Sequence, residues 1–188
     1  MSAIRILGLS GSLRSGSHNT ALLRAAALSL PSGVELEVYD GLRDLPHYDA
    51  DLDVDDGPQA AVRLREAIAD ADGILISTPE FNGSIPGALK NALDWASRPF
   101  PDNSLRGKPV AVVGASTGLF GAVWAQAETK KVVGIIGADV LEGELPVGQA
   151  SGAFGKDGHL IEPDLRNALE ELLGVLAARV GARESQAV

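Results

Sequence analysis

Apolar positions along the chain fall into two kinds of run. Ile4 to Leu9 (IRILGL), Gly73 to Thr78 (GILIST) and Pro109 to Ala115 (PVAVVGA) are short and nearly continuous, the pattern of strands buried on both faces of a parallel sheet. Val34 to Asp40 (VELEVYD) alternates instead, with Val34, Leu36 and Val38 on one side, and predicts a more exposed strand. A shorter run, Ala138 to Leu141, predicts a fifth. Between these runs lie helical patterns. Thr20 to Leu30 is rich in Ala and Leu, and apolar residues recur at helical steps at Ala61, Leu64, Ile68 and Ala71 and again at Leu165, Leu169, Leu172, Leu176 and Val180. Ile85 to Ser97, with Pro86 near its first turn, and Phe120 to Gly137, frayed at Gly134 and Gly137, complete five predicted helices.

Strand and helix alternate five times, which predicts an α/β fold: a three-layer sandwich with a five-stranded parallel sheet and helices on both faces. Five strands fit the doubly wound order 2-1-3-4-5, whose ligand crevice lies beyond the carboxyl ends of the first and third strands. The 188 residues suit one domain, taken as 1–181, with 182–188 a flexible tail.

Composition narrows the partners. Sixteen basic against twenty-five acidic side chains give a net charge of -9, so a nucleic acid or an anionic membrane surface is repelled on average. There is no apolar run of membrane-spanning length and no leader-like start, and cysteine is absent; the expectation is a cytoplasmic protein without disulfides, thiolate metal sites or cysteine nucleophiles. His47 and His159 stand apart from any carboxylate pattern and give zinc no support. In the acidic segment 48–57, a calcium loop begun at Asp51 would place Asp56 where glycine is needed and Val62 where glutamate is needed. A solvated acidic connection is the better reading.

The candidate chemistry lies in three loops after apolar runs. The first, SGSLRSGSHNT (10 to 20), joins the first strand to the first helix. Free N–H groups at the helix start, the hydroxyls of Ser12, Ser15 and Ser17, the side chains of Asn19 and Thr20, and the Arg14 fork suit a phosphate. Ser and Asn before a helix are also the usual N-caps, and the His18 imidazole reads as a surface group. The loop lacks the Gly-Lys-Ser/Thr of a nucleotide-triphosphate loop and the G-x-G-x-x-G of a dinucleotide fold. Leu9, Ser10 and Gly11 stand where a phospho-acceptor domain would want acidic residues. A bound phosphate monoester on which no chemistry is done is what remains.

The second loop, within TPEFNGSIPGALKNALDW (78 to 95), is bent by Pro79, Gly83, Pro86 and Gly87, and offers amides around Glu80 to Gly83 and the face of Phe81 to a planar heteroaromatic ring. Glu80 reads as structural and is given no proton-transfer role; Trp95 and Leu93 read as core or subunit-contact residues, and Lys90 and Asn91 as surface or bracing residues. The third, GASTGLFGAVWAQ (114 to 126), has small residues that let a flat ligand approach the backbone.

GSLRSGSHN (11 to 19), TPEFNGSIPGALKNALDW and GKPVAVVGASTGLFGA (107 to 122) resemble the NADPH-dependent FMN reductase family, of flavodoxin-like fold, most closely its bacterial chromate and quinone reductase branch; the family also includes azo-dye reductases. The resemblance implies non-covalent FMN, with the phosphate held along Ser12, Leu13, Arg14, Ser15, Gly16, Ser17, His18 and Asn19. The isoalloxazine ring would rest on Pro79, Glu80, Phe81, Asn82 and Gly83, and Ala115, Ser116, Thr117 and Gly118 would close its other edge. Phe81 replaces a common tyrosine and Ala115 a common serine, so contacts there would come from backbone. The resemblance further implies NADPH or NADH as co-substrate, a quinone-like or other small acceptor, and a homodimer or dimer of dimers with the flavin near a subunit boundary. No catalytic side chain is demanded, because the cofactor carries the reactivity. A flavodoxin-type one-electron carrier with a protein partner, or a flavin-binding regulatory module without turnover, remain as alternatives.

Overall fold

The computed structural model describes residues 3–54 and 57–186. In chain order the elements are β1 (Ile4–Ser10), α1 (His18–Leu28), β2 (Val34–Tyr39), α2 (Gln59–Asp70), β3 (Gly73–Thr78), α3 (Gly87–Ala96), β4 (Pro109–Ala115), α4 (Val123–Ile136), β5 (Asp139–Val140), β6 (Pro146–Val147) and α5 (Pro163–Gln186), with short 3-10 turns between some of them. The sheet runs β2-β1-β3-β4-β5, every pairing parallel. This is the flavodoxin-like order expected from the sequence.

The apolar runs behave as their patterns require. Every residue of β3 and β4 is buried, whereas β2 at the edge alternates half-buried and exposed positions before its last two half-buried residues. Side chains on one face, among them Ile6, Leu75 and Val113, pack under α1 and α5 through Leu22, Leu23, Leu172 and Leu176. The opposite face, with Leu9, Ile74, Ile76 and Val112, packs under α2, α3 and α4 through Leu64, Ile68, Leu89 and Val133. Trp95 and Leu93 belong to this second core. The indole N–H of Trp95 donates to Pro46 O at 2.9 Å. Asn91 braces the same loop, donating to Pro46 O at 2.8 Å and accepting from Tyr48 N at 2.7 Å. Lys90 stays on the helix surface, paired with Asp94 at 2.6 Å.

One difference from the expected fold has a physical cause. The fifth strand is broken: β5 pairs with Pro109 and Val110 at the start of β4, and β6 pairs with Gly114 and Ala115 at its end. Between them Gly143 adopts φ +95° and the chain swings out through exposed Glu142 and Glu144, while Leu141 and Leu145 return to the core. The last helix also continues past Gly181 to Gln186, where the sequence suggests a flexible tail; residues 187 and 188 lie outside the described residues. Helix α4 passes through Gly134 intact and stops at Gly137, whose φ of +107° closes it.

In the acidic segment, Asp53 is bound to Arg65 at 2.6 Å; Asp55 and Asp56, on which the calcium pattern turns, lie outside the described residues. Buried Lys108 donates to Ala69 O and Ala71 O at the end of α2, placing a cation where that helix has no basic residue in its last turn. Burial and, secondarily, Arg183 hold its ammonium below the usual lysine range. Among the described residues no helix is long and apolar enough to cross a membrane.

Candidate functional site

The loop between β1 and α1 is anchored by side chains that face inward. Ser17 caps α1, its hydroxyl oxygen accepting from Thr20 N at 3.1 Å. Asn19 is 2% exposed, and its side-chain amide bonds to the sheet. It donates to Ala115 O at 2.9 Å and accepts from Ala115 N at 3.0 Å and from the Ser77 hydroxyl at 2.9 Å. One side chain thus ties the first loop to the ends of β3 and β4. The Asn19 oxygen and one of its amide hydrogens are thus taken up by the strands, while the residue still lines the cavity described below. Ser10 and Thr20 share a hydroxyl contact at 2.9 Å. Gly11 lies so close to the second loop that a Cβ there would stand 3.0 Å from Pro79 Cδ and 3.2 Å from Pro86 Cγ.

The tip of the same loop is left open. Arg14, Ser15 and Gly16 are exposed, and among the described residues no hydrogen bond or ion pair engages the Arg14 guanidinium. His18, at the first position of α1, is held below the ordinary histidine range by burial first and by the Arg14 charge second, so it is neutral at pH 7. A free fork, a neutral imidazole and the N-terminus of an eleven-residue helix make an opening suited to an anion.

The second loop is locked. Phe81 N donates to Ser84 O at 3.0 Å and Ser84 N to Phe81 O at 3.2 Å, with Asn82 at φ 55° and Gly83 at φ 74° between them, a two-residue hairpin of the Asn-Gly kind. The amide of Phe81 is accordingly engaged inside the loop, leaving fewer amides for a ring than the sequence suggests. Two carboxylates then clamp the hairpin to α4. Glu80 Oε2 accepts from Trp124 N at 3.1 Å and Ala125 N at 3.2 Å, capping α4, which has no side-chain cap of its own. Glu128 on α4 reaches back, accepting from the Ser84 hydroxyl at 2.6 Å and Ile85 N at 3.2 Å. Those two bonds, the hydroxyl first, hold the Glu128 carboxyl below the usual range. Glu80 thus has a bracing role, and Glu128 supplies a second brace that no local pattern in the sequence announces.

The third loop completes a cavity of about 450 Å³, within the ~300–1,000 Å³ span of small-molecule sites. Ser12, Arg14, His18 and Asn19 line one side, Pro79, Glu80 and Phe81 another, and Ala115, Ser116 and Thr117 a third. The remaining expected residues lie behind or beside it. Leu13 packs against the second core, Ser17 is the buried cap, and Ser15, Gly16, Asn82 and Gly83 form exposed loop tips. Gly118 accepts from Gln149 N at 2.8 Å. The residue that sequence reasoning missed is Ser151, which also lines the cavity. It arrives because β6 carries the following turn beneath the third loop, where Ala150 N donates to Ser116 O at 3.0 Å. Beside the opening, Phe81, Leu119, Phe120 and Trp124 are more than half exposed, and the last two rings meet edge to face at 5.2 Å.

These features fit FMN. An unpartnered guanidinium and a helix N-terminus suit its phosphate, and a pinned hairpin beside a small-residue loop suits a flat ring. The sequence comparison agrees: residues 4–152 match the NADPH-dependent FMN reductase family. An NAD(P)H-dependent FMN reductase of Pseudomonas aeruginosa is 40% identical over 92% of this chain and 93% of its own length. A 2-hydroxy-1,4-benzoquinone reductase of a Burkholderia species is 37% identical over 96% and 98%. Among solved structures, the flavoenzyme NAD(P)H:acceptor oxidoreductase FerB of Paracoccus denitrificans superposes with a TM-score of 0.85 at 33% identity, covering 96% of this chain and 98% of that one. Loop geometry, strand order and sequence converge, and the chain belongs to the NADPH-dependent FMN reductase family.

Proposed function

We propose that the protein is an FMN-dependent NAD(P)H oxidoreductase that passes reducing equivalents to a small oxidised acceptor, of which a quinone is the best supported. The observation that carries this reading is the convergence of three loops on one cavity, with a free guanidinium at one side and a clamped hairpin at another. Arg14, the Ser12 hydroxyl and the amides at the start of α1 hold the phosphate. Pro79 and Phe81 shape the shelf for the ring, and the backbone of Ala115 to Thr117 faces it from the third loop. Bound FMN supplies hydride acceptance and donation. The protein's own part is to bind, to orient and to leave one side open for the nicotinamide and then the acceptor. Glu80, the carboxylate lining the cavity, is occupied in capping α4 and moves no proton.

Relatives named for quinone and FMN reduction support the acceptor class; chromate, azo compounds and free flavin are further acceptors to assay. A homodimer or dimer of dimers is supported by Leu119, Phe120 and Trp124, exposed beside the cavity at 70%, 60% and 54%. A cytoplasmic setting accords with the need for reduced nicotinamide. The test is spectral and kinetic. Purified protein should bind FMN, become yellow, and oxidise NADPH or NADH with a quinone but without any protein partner. A chain that stays colourless with added FMN sinks the proposal, and reduction that requires a protein partner moves it to the electron-carrier reading.

A further inference from the structure

Behind the phosphate loop lies a second cavity, of about 300 Å³, between that loop, the outer side of α1 and the segment after β2. Three guanidiniums line it, Arg14, Arg24 and Arg43, together with the hydroxyls of Ser10, Ser12, Ser15 and Thr20. Asp40 is the carboxylate that offsets them. In a chain of net charge -9, a concentration of positive charge in one concavity runs against the average and marks an anion site. Among the described residues neither Arg14 nor Arg24 has a hydrogen-bonding or ionic partner, while Arg43 gives one bond to Leu13 O and so stiffens the wall shared with the first cavity. Ser12 and Arg14 line both cavities. An anion here therefore neighbours the proposed flavin phosphate.

We propose that this cavity binds a phosphate monoester, and that its source is the 2′-phosphate of NADPH, with Arg24 as the residue that favours NADPH over NADH. The inference rests on the flavin-dependent reading of the adjoining cavity. Bidentate guanidiniums bind a phosphate dianion strongly. NADH has a 2′-hydroxyl at that place, which would leave the arginines without their anion. Arg24 sits nearly two turns beyond the start of α1, exposed and away from the first cavity, so its replacement tests this cavity and leaves the other intact.

The experiment uses the FMN-loaded chain and measures binding of adenosine 2′,5′-bisphosphate and of 5′-AMP by equilibrium dialysis, beside kcat/KM for NADPH and NADH. A charge-assisted phosphate contact predicts roughly 10-fold or greater preference for the bisphosphate. Arg24→Ala should erase most of that preference and lower the NADPH to NADH ratio of kcat/KM by a similar factor; Arg24→Glu should lower it further. Equal binding of the two nucleotides by the native chain would overturn the proposal, as would an unchanged ratio in both variants. Loss of FMN from the variants would overturn it too, by assigning the cavity to the flavin phosphate. Competition by inorganic phosphate as strong as by the bisphosphate would make free phosphate the ligand and remove the NADPH assignment. Should the chain hold no FMN, the loading step reports that failure separately, and the same nucleotide preference measured on the unloaded chain still decides for or against the arginine cavity.

Discussion

The two ends of the cavity proposed for the flavin, one for its ring and one for its phosphate, are built on opposite plans. At the ring end several polar groups are committed to protein: Glu80 and Glu128 cross between the hairpin and α4, and the hairpin closes on itself. At the phosphate end the loop root is fixed by Asn19 and Ser17, yet at its tip Arg14 has no hydrogen-bond or ionic partner among the described residues. A shelf for a neutral ring gains from rigidity, since its contacts are weak and depend on shape. A seat for a charged group gains from donors that are not already satisfied, because each bond to the ligand then replaces only water.

Substitutions at the two kinds of position should separate stability from affinity. The largest effect is expected for Asn19→Ala, which leaves Ala115 N, Ala115 O and the Ser77 hydroxyl without their partner in a buried site. At ~1–3 kcal/mol for each buried group left unpaired, a loss of about 3 kcal/mol or more in unfolding free energy should appear in denaturant titration. Arg14→Ala should do the reverse: stability within about 0.5 kcal/mol of the native chain, but FMN affinity reduced by ~10-fold or more, read from fluorescence titration. An Arg14→Ala chain with unchanged affinity would erase the contrast between the two ends.

Smaller effects sharpen it. Because the carboxylate form of Glu128 is the one bound by Ser84 and Ile85, its depressed pKa means the clamp is present at neutral pH and lost as pH falls through that lowered value, below the usual carboxylate range of ~4.3. Glu128→Ala should therefore lower the protection factor of the Ile85 amide already at pH 7, a loss of protection that the native chain shows only in acid. His18 gives the last test. Its folded-state pKa is lowered, so the unfolded chain takes up the proton first, and the histidine's contribution to stability falls as pH drops from 6.5 toward the folded value. A phosphate against Arg14 removes part of the repulsion, and NMR titration should find the His18 pKa higher in the FMN-loaded protein than in the empty one.

The parts of this arrangement that are local in sequence were legible there. Continuous apolar runs announce β1, β3 and β4, and their order places three loops on one rim. Asn82-Gly83 is a readable hairpin signal, though the flanking Phe81 and Ser84 do not form an alternating strand pattern that would draw attention to it. What sequence could not reveal depends on distant pairing. Asn19 meets Ala115 across 96 positions and Glu128 meets Ser84 across 44, so no local pattern separates a buried brace from a ligand donor. Ser151 enters the cavity only because the fifth strand breaks, and the sole cues to that break are Gly143 and the charged residues beside it.

That interrupted strand offers a practical handle. Its halves are fastened separately, Leu141 N to Val110 O at 2.8 Å and Leu145 O to Gly114 N at 3.2 Å, so extra chain spliced between Glu142 and Glu144 would tug on neither. Each doubling of such a segment costs only about 0.6 kcal/mol in closure entropy. A fluorophore or affinity tag grafted there would hang over open water, one short ribbon away from the cavity, and could report on its occupancy without touching any residue that lines it.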